Sequence, residues 1–296
     1  MTYTVLVPLD GSPLSEHALP LAAALARADE RSLLLVHARA AAAPANECPP
    51  DLEAIAGQLR AEGLAVKTAT VPLATPEQTG AAILTAAADA ANTIIVMATH
   101  GYGGLGRWLY GSVADQVLRQ ASCPVMLVTP PADRAWPTDR PLRVLVPLDG
   151  SARAEAILAP LRELLQPSGG QVLLLRVSET VDYIRPHGDQ CAVCRAARAA
   201  GTEPDIEPVR SRHYLEEVAG RLRTDHLTVE VQVETGNPVP IIVRAAEAHQ
   251  ADVIALATHG RTGLSQVIMG SVATETLRRA GVPVLLVRSS EVEVTG

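Results

Sequence analysis

The strongest constraint on how this chain folds is that it contains the same unit twice. Val5-Leu-Val-Pro-Leu-Asp10-Gly-Ser12 returns as Val144-Leu-Val-Pro-Leu-Asp149-Gly-Ser151, an offset of 139 residues. Ala98-Thr-His-Gly101 returns as Ala257-Thr-His-Gly260, Gly111-Ser-Val-Ala114 as Gly270-Ser-Val-Ala273, and Pro124-Val125 as Pro283-Val284, all at an offset of 159. The second copy therefore carries 20 residues more than the first. Because His37 still maps onto Arg176 at the shorter offset, the excess falls after the second strand and before the Thr-His-Gly motif. A period this long is a duplicated domain, not a solenoid repeat, and 296 residues suit two domains. The expected division is a first domain over 1–130, a Pro-rich polar linker over 131–141, and a second domain over 142–290 with an inserted loop near 179–208.

Composition narrows the function classes. Lys and Arg number 25 against 32 Asp and Glu, giving a net charge of −7, and the split near residue 141 is 9 against 13 and then 16 against 19. Neither half is basic, which argues against a nucleic-acid partner. The start, Met1 to Leu9, enters a strand-like run directly, and no apolar run approaches about 18 residues, so no membrane partner and a cytoplasmic location are expected. Four cysteines are too few to staple a chain of this length. There is no Phe, and the cores must be built from Ala, Leu and Val. Lys67 is the single lysine, which removes most lysine-dependent chemistry.

Each copy alternates strand and helix patterns. In the first, strands are expected at Thr4 to Pro8, Ser32 to His37, Ala65 to Val71, Thr93 to Ala98 and Val125 to Val128. Helices are expected along Leu14-Ala18-Leu21-Leu25, with a kink at Pro20, and near Asp51 to Glu62, Gln78 to Ala90 and Ser112 to Gln120. Five strands alternating with four helices make an α/β unit with a parallel sheet covered on both faces by right-handed crossovers.

In such a sheet ligands sit beyond the carboxyl ends of the strands, where the winding direction switches, and the duplicated residues fall there. Asp10 and Asp149 end the first strand of each copy; a carboxylate there accepts from a ribose hydroxyl, from the turn or from the next helix, and these roles are compatible. After the fourth strand, Gly101 and Gly260 open a loop that closes at Gly111-Ser112 and Gly270-Ser271, just before a helix. Glycine lets backbone N–H groups approach phosphate, and the helix N-terminus adds a favourable dipole. The serines can donate to phosphate or cap the helix; Asp115 gives Ser112 a capping-box spacing, whereas Ser271 has Thr274.

Other phosphate chemistries lack their parts. Lys67 lies in a strand, outside any P-loop or kinase context. Gly101-Tyr-Gly103-Gly104-Leu-Gly106 spells a dinucleotide fingerprint, but it follows the fourth strand, and the second copy has no equivalent of Gly103 or Gly106, so the match is fortuitous. No G-x-S-x-G elbow is present.

Taken together, the paired Val-Pro-Leu-Asp-Gly-Ser segments, the Ala-Thr-His-Gly motif followed by nine residues and Gly-Ser-Val-Ala, and Cys123-Pro-Val or Val282-Pro-Val resemble a tandem universal stress protein. The resemblance implies two doubly wound five-stranded sheets of order 3-2-1-4-5, related by a pseudo-twofold. It implies domain pairing through the fifth strands, Pro124 to Val128 and Pro283 to Val287, and allows a homodimer. It implies ATP or a related adenine nucleotide as a regulatory ligand, with or without Mg²⁺, and no committed catalytic step. The family pattern Gly, two residues, Gly, nine residues, Gly and Ser or Thr is met at Gly101, Gly111 and Ser112 and at Gly260, Gly270 and Ser271, but Ala98 and Ala257 stand at its first glycine. By the same resemblance Asp10 and Asp149 meet ribose, and the backbone at Ala38 and Val177 meets adenine. Pro8, Leu9, Met97 and Val113, with Pro147, Leu148, Leu256 and Val272, line the sites. Gly236-Asn-Pro238 fits the family better than Ala74-Thr-Pro76, which makes the second domain the safer site.

Two alternatives stay open. Ala98 and Ala257 suit a nucleotide-independent interaction scaffold. Cys191-Ala-Val-Cys194 with His187, inside the extra segment, offers a weak metal set or a redox pair, one ligand short of a structural zinc site. His100 and His259 are assigned no catalytic role, Trp108 and Tyr110 are packing residues, and Cys123 is structural.

Overall fold

A computed structural model describes residues 3–27, 31–40, 51–90, 92–99, 111–129, 136–137, 140–165, 168–178, 206–224, 226–259 and 269–289. In the first copy these form β1 (Thr4–Pro8), α1 (Pro13–Glu16), α2 (Leu19–Arg27), β2 (Ser32–Ala40), α3 (Leu52–Ala61), β3 (Val66–Leu73), α4 (Thr79–Asp89), β4 (Thr93–Ala98), α5 (Ser112–Gln120) and β5 (Val125–Val128). The second copy runs β6 (Leu142–Pro147), α6 (Ala152–Glu155), α7 (Leu158–Leu165), β7 (Gly170–Ser178), α8 (Ile206–Leu222), β8 (Leu227–Thr235), α9 (Pro238–Ala248), β9 (Val253–His259), α10 (Ser271–Arg279) and β10 (Val284–Ser289). The helix expected along Leu14 to Leu25 is two helices, broken at His17 and Ala18. Pro20 has no N–H to donate to the Glu16 carbonyl, so the helix must restart with the proline in its first turn. The second copy repeats the break, with Pro160 in the first turn of α7.

The strands form one ten-stranded sheet in the order β3-β2-β1-β4-β5-β10-β9-β6-β7-β8. Each half is parallel and has the order 3-2-1-4-5 in its own count. The halves meet where β5 and β10 run antiparallel, with Leu127 opposite Val284, Met126 opposite Leu285 and Val125 opposite Leu286. This register has an internal check. Met126 and Leu285 are 159 residues apart, so they are each other's counterparts, and the two flanking pairs exchange under the same offset. A pseudo-twofold axis therefore passes through the Met126–Leu285 pair.

Central strands read as unbroken apolar runs because helices cover both faces: β5 is buried at all four positions, while the outer strand β3 alternates. On one face Val5, Val7, Leu33, Leu35 and Ile94 pack under α2 and α3, in a cluster that continues through Val144, Leu161, Leu174 and Leu215 of the second copy. On the other face Leu6, Val36, Ile95, Leu127, Ile254 and Leu286 pack with α4, α5, α9 and α10. Each cluster draws on both copies, so the copies share their cores. Fully burying one such side chain is worth about 1.5–3 kcal/mol.

Polar contacts fasten the joint. Arg31, 1% exposed, donates from Nη2 to the Leu164 carbonyl at 2.7 Å and lies over the Tyr3 ring, 5.6 Å from its centroid. The Tyr3 hydroxyl donates to Glu163; burial first, and then the bond and charge of Glu163, hold the phenol well above its ordinary range. Arg140 forks onto Asp252 at 2.8 and 2.9 Å, and the Arg143 amide donates to the same carboxylate at 2.9 Å. The chain entering the second half of the sheet is thereby tied to a fully buried aspartate.

Candidate functional site

The C-terminal end of β1 delivers Pro8, Leu9 and Asp10 into a turn. Gly11 takes φ +86° there, a left-handed conformation that favours glycine. The Asp10 Oδ1 accepts from the Ser12 amide at 2.9 Å and from its hydroxyl at 2.6 Å, and Ser12 in turn caps α1. The second copy reproduces this: Gly150 has φ +82°, Asp149 Oδ1 accepts from the Ser151 amide at 2.9 Å, and Ser151 caps α6. The aspartates therefore brace the turn, while the caps are serines. Both carboxylates are on exposed residues.

In the first copy these residues border a cleft. Pro8, Leu9 and Asp10 come from β1, Val36 and Ala38 from β2, and Met97 and Ala98 from β4; Thr79 and Ile83 of α4 face Val113 and Ala114 of α5. Ser12, Leu14 and Ser15 complete the rim. The cleft thus lies at the strand C-termini between β1 and β4, where the winding switches. Of the expected first-copy residues, Pro8, Leu9, Asp10, Ala38, Met97, Ala98 and Val113 line it together. Thr79, Ile83 and Leu14 are not among the expected residues: Thr79 and Leu14 have Pro238 and Arg153 as counterparts, so no repeat marks them, and Ile83 reads as an ordinary core position of its helix.

Gly111 is the N-cap of α5, with φ −51° and ψ 152°, and Gly270 the N-cap of α10, with φ −58° and ψ 152°. Ser112 and Ser271 are the first helical residues, and neither helix has a side-chain cap. The capping-box expectation for Ser112 is thereby corrected. A first helical residue cannot fold its hydroxyl back as a cap does, and Asp115 instead accepts from Arg119 Nε at 2.7 Å. Both helices leave uncapped amides at the strand ends, the arrangement that favours an anion.

In the second copy Pro147, Leu148 and Asp149 end β6, Val177 lies near the end of β7, Leu256 and Ala257 near the end of β9, and Val272 follows Ser271 in α10. A recess between the starts of α9 and α10 is bordered by Gly236, Asn237, Pro238, Ser271, Val272, Glu275 and Arg279, so of the expected second-copy residues Ser271 and Val272 border it and Pro147, Leu148, Asp149, Val177, Leu256 and Ala257 do not. Gly236 has φ +136°, and Asn237 caps α9 by accepting from the Val239 amide at 3.3 Å. The first copy enters its helix differently. A single 3-10 turn over Pro76–Gln78 precedes α4, and the Gly80 amide donates to Gln116 Oε1 of α5 at 3.1 Å.

Gly101, Gly260, His100, Trp108, Tyr110, Cys48, His187, Cys191 and Cys194 lie outside the described residues. Among the described residues no group of three or more His, Cys, Asp or Glu is placed to hold a metal ion, and no helix is long and apolar enough to cross a membrane. Burial pushes the Cys123 thiol up to about 11, so it is protonated at neutral pH and packs against the second cluster.

Comparison with known proteins decides the family. The model of the universal stress protein family matches residues 1–129 and again residues 142–288. The chain belongs to the universal stress protein family. It is similar to a universal stress protein of Mycolicibacterium smegmatis, 29% identical over 196 residues, covering 66% of this chain and 61% of the relative. A universal stress protein of Mycobacterium tuberculosis strain H37Rv is 28% identical over 199 residues, covering 67% and 62%. The chain spans about three fifths of the length of these relatives. Among solved structures, a universal stress protein from Archaeoglobus fulgidus superposes with a TM-score of 0.70 at 20% identity, covering 97% of this chain and 98% of that one.

Proposed function

We propose that this chain is a cytoplasmic stress-response protein that binds ATP or a related adenine nucleotide as a regulatory ligand, without a committed catalytic step. The observation that carries this is the first-copy cleft at the switch point. It combines an apolar slot for a base (Val36, Ala38, Met97 and Val113), a carboxylate at its rim (Asp10) and the uncapped N-terminus of α5 beside it. With a single lysine in the chain, phosphate is held by backbone amides, Ser112 and the helix dipole, with arginine or Mg²⁺ as support. The matching residues Asp149, Val177, Leu256, Ser271 and Val272 form the second site, with Asn237, which caps α9, at its entrance. The two copies act as domains over 1–130 and 142–290, and the β5–β10 pairing makes their working unit intramolecular.

Calorimetry on nucleotide-free protein tests the reading. ATP, with and without Mg²⁺, is expected to bind saturably, with at most two sites per chain. Absence of saturable binding under both conditions would leave the fold standing as a nucleotide-independent scaffold.

A further inference from the structure

The two copies differ in charge at the positions that flank the aspartate of the turn. Ser12 and Ser151 cap equivalent short helices, so the second helical residue occupies the same place in both: Leu14 in the first copy, Arg153 in the second. Leu14 lines the first cleft. Arg153 is exposed, and among the described residues its guanidinium makes no hydrogen bond or ion pair.

A second exchange stands on the neighbouring strand. His37 ends its reach at the Leu9 carbonyl, to which Nδ1 donates at 2.8 Å. Its counterpart Arg176 extends to the turn instead. Nε donates to Ser211 at 2.8 Å, the guanidinium lies over the Tyr214 ring, 5.6 Å from its centroid, and a Cβ on Gly150 would overlap Nη1, with Cζ 3.2 Å from that point. A fixed guanidinium therefore abuts the residue that follows Asp149. The nearest other acid on α6, Glu155, is already paired with Arg221 at 2.7 Å. The second copy thus has Arg153 and Arg176 at the positions where the first has Leu14 and a histidine satisfied by a carbonyl.

A carboxylate alone suits a ribose with free hydroxyls, which donate to it. A phosphoryl group on that ribose is repelled by the carboxylate unless cations offset it, and arginine offers a planar fork that matches its oxygens. We infer that the second cleft takes an adenine nucleotide carrying a further phosphoryl group on its ribose 2′ or 3′ oxygen, with Arg153 as its contact and Arg176 as fixed supporting charge, whereas the first cleft takes nucleotides with free ribose hydroxyls. This rests on the nucleotide reading above and names what distinguishes its two sites.

The test uses the full chain with one site weakened at a time. In the Asp10→Ala protein, adenosine 3′,5′-bisphosphate or adenosine 2′,5′-bisphosphate is expected to bind the second cleft about tenfold tighter than AMP. Adding Arg153→Leu is expected to bring that ratio near one. In the Asp149→Ala protein the first cleft is expected to favour AMP, and Leu14→Arg to shift its ratio toward the bisphosphates. Equal affinities in the Asp10→Ala protein, or a preference that survives Arg153→Leu, overturns the inference while leaving nucleotide binding intact. Failure of ATP, AMP and the bisphosphates to bind the unsubstituted chain overturns the nucleotide reading itself, and the inference with it.

Discussion

At the start of the fourth strand the first copy has Thr93 and the second has Asp252, both buried. Thr93 satisfies itself locally, donating to the Ala87 and Ala90 carbonyls at 3.0 and 2.8 Å. Asp252 reaches out of its element to Arg140 and to the Arg143 amide. At the next level, Gln116 receives an amide of α4, while its counterpart Glu275 is paired with Arg278 and Arg279. The apolar plan of the copies is the same, and the polar fastening differs. At these two positions the copies kept the buried apolar frame and changed the polar partners, whereas the turn aspartates and serines stayed the same in both.

The shared part of that comparison predicts the largest effect. Leu127 and Leu286 are counterparts at 159 residues, lie on the two sides of the seam and are 0% and 2% exposed. Truncating either to Ala removes the same contacts from the same core and is expected to cost about 3 kcal/mol. Urea denaturation of the two variants should give equal losses; a difference of more than about 1 kcal/mol would break the pseudo-twofold equivalence of the seam.

The divergent fastening predicts a smaller loss. Asp252→Thr installs the first copy's solution in the second and removes both the Arg140 fork and the bond from the Arg143 amide. Breaking a buried pair costs about 3–5 kcal/mol, but the Arg140 side chain is 34% exposed and regains water, so about 2 kcal/mol is expected. An unchanged denaturation midpoint would mean that Asp252 fastens nothing. Smaller still, and read as affinity, Asp10→Ala and Asp149→Ala are each expected to weaken ATP binding about tenfold at their own site only, in two-site calorimetric titrations. Loss at neither site, or at both from one substitution, would contradict separate ribose contacts.

What was legible beforehand follows the same division. β4 and α5 have the expected bounds because an apolar run and a glycine-bounded amphipathic stretch fix them locally. The cleft residues of β1 and β4 were legible because both copies repeat them. The break between α1 and α2 was misread because apolar spacing continues through it, whereas the backbone donor lost at Pro20 does not. Arg31 and Asp252 gave no signal: Arg31 is matched to Leu164, 133 residues away, and Asp252 to Arg140, 112 residues away. Leu14 and Arg153 were overlooked for the opposite reason to the repeated motifs. Repetition marks what the copies share and is silent where a site's content lies in their difference.

The smallest expected effect is electrostatic and confined to one copy. Glu275 accepts from Arg278 Nε at 2.8 Å and from Arg279 Nε at 2.6 Å, and hydrogen bonding first from Arg278 and then from Arg279 holds its carboxyl down to about 2. A lowered folded-state value means that this cluster contributes stability above the ordinary glutamate range near 4.5, and that the contribution is lost as pH falls from there toward 2. All three side chains are at least 31% exposed, so water and salt screen most of the interaction. Gln116 cannot titrate in this range, so at this pair of counterpart positions the acid-side loss belongs to the second copy. Glu275→Gln should therefore flatten the fall in melting temperature between pH 5 and pH 2.5 at low salt, and added salt should erase the difference. Glu275 and Arg279 also border the recess beside Ser271. Releasing Arg279 from Glu275 by the same substitution should then tighten nucleotide binding at the second site and leave the first unmoved; parallel acid profiles with unchanged affinity would show that the pair acts on neither stability nor ligand.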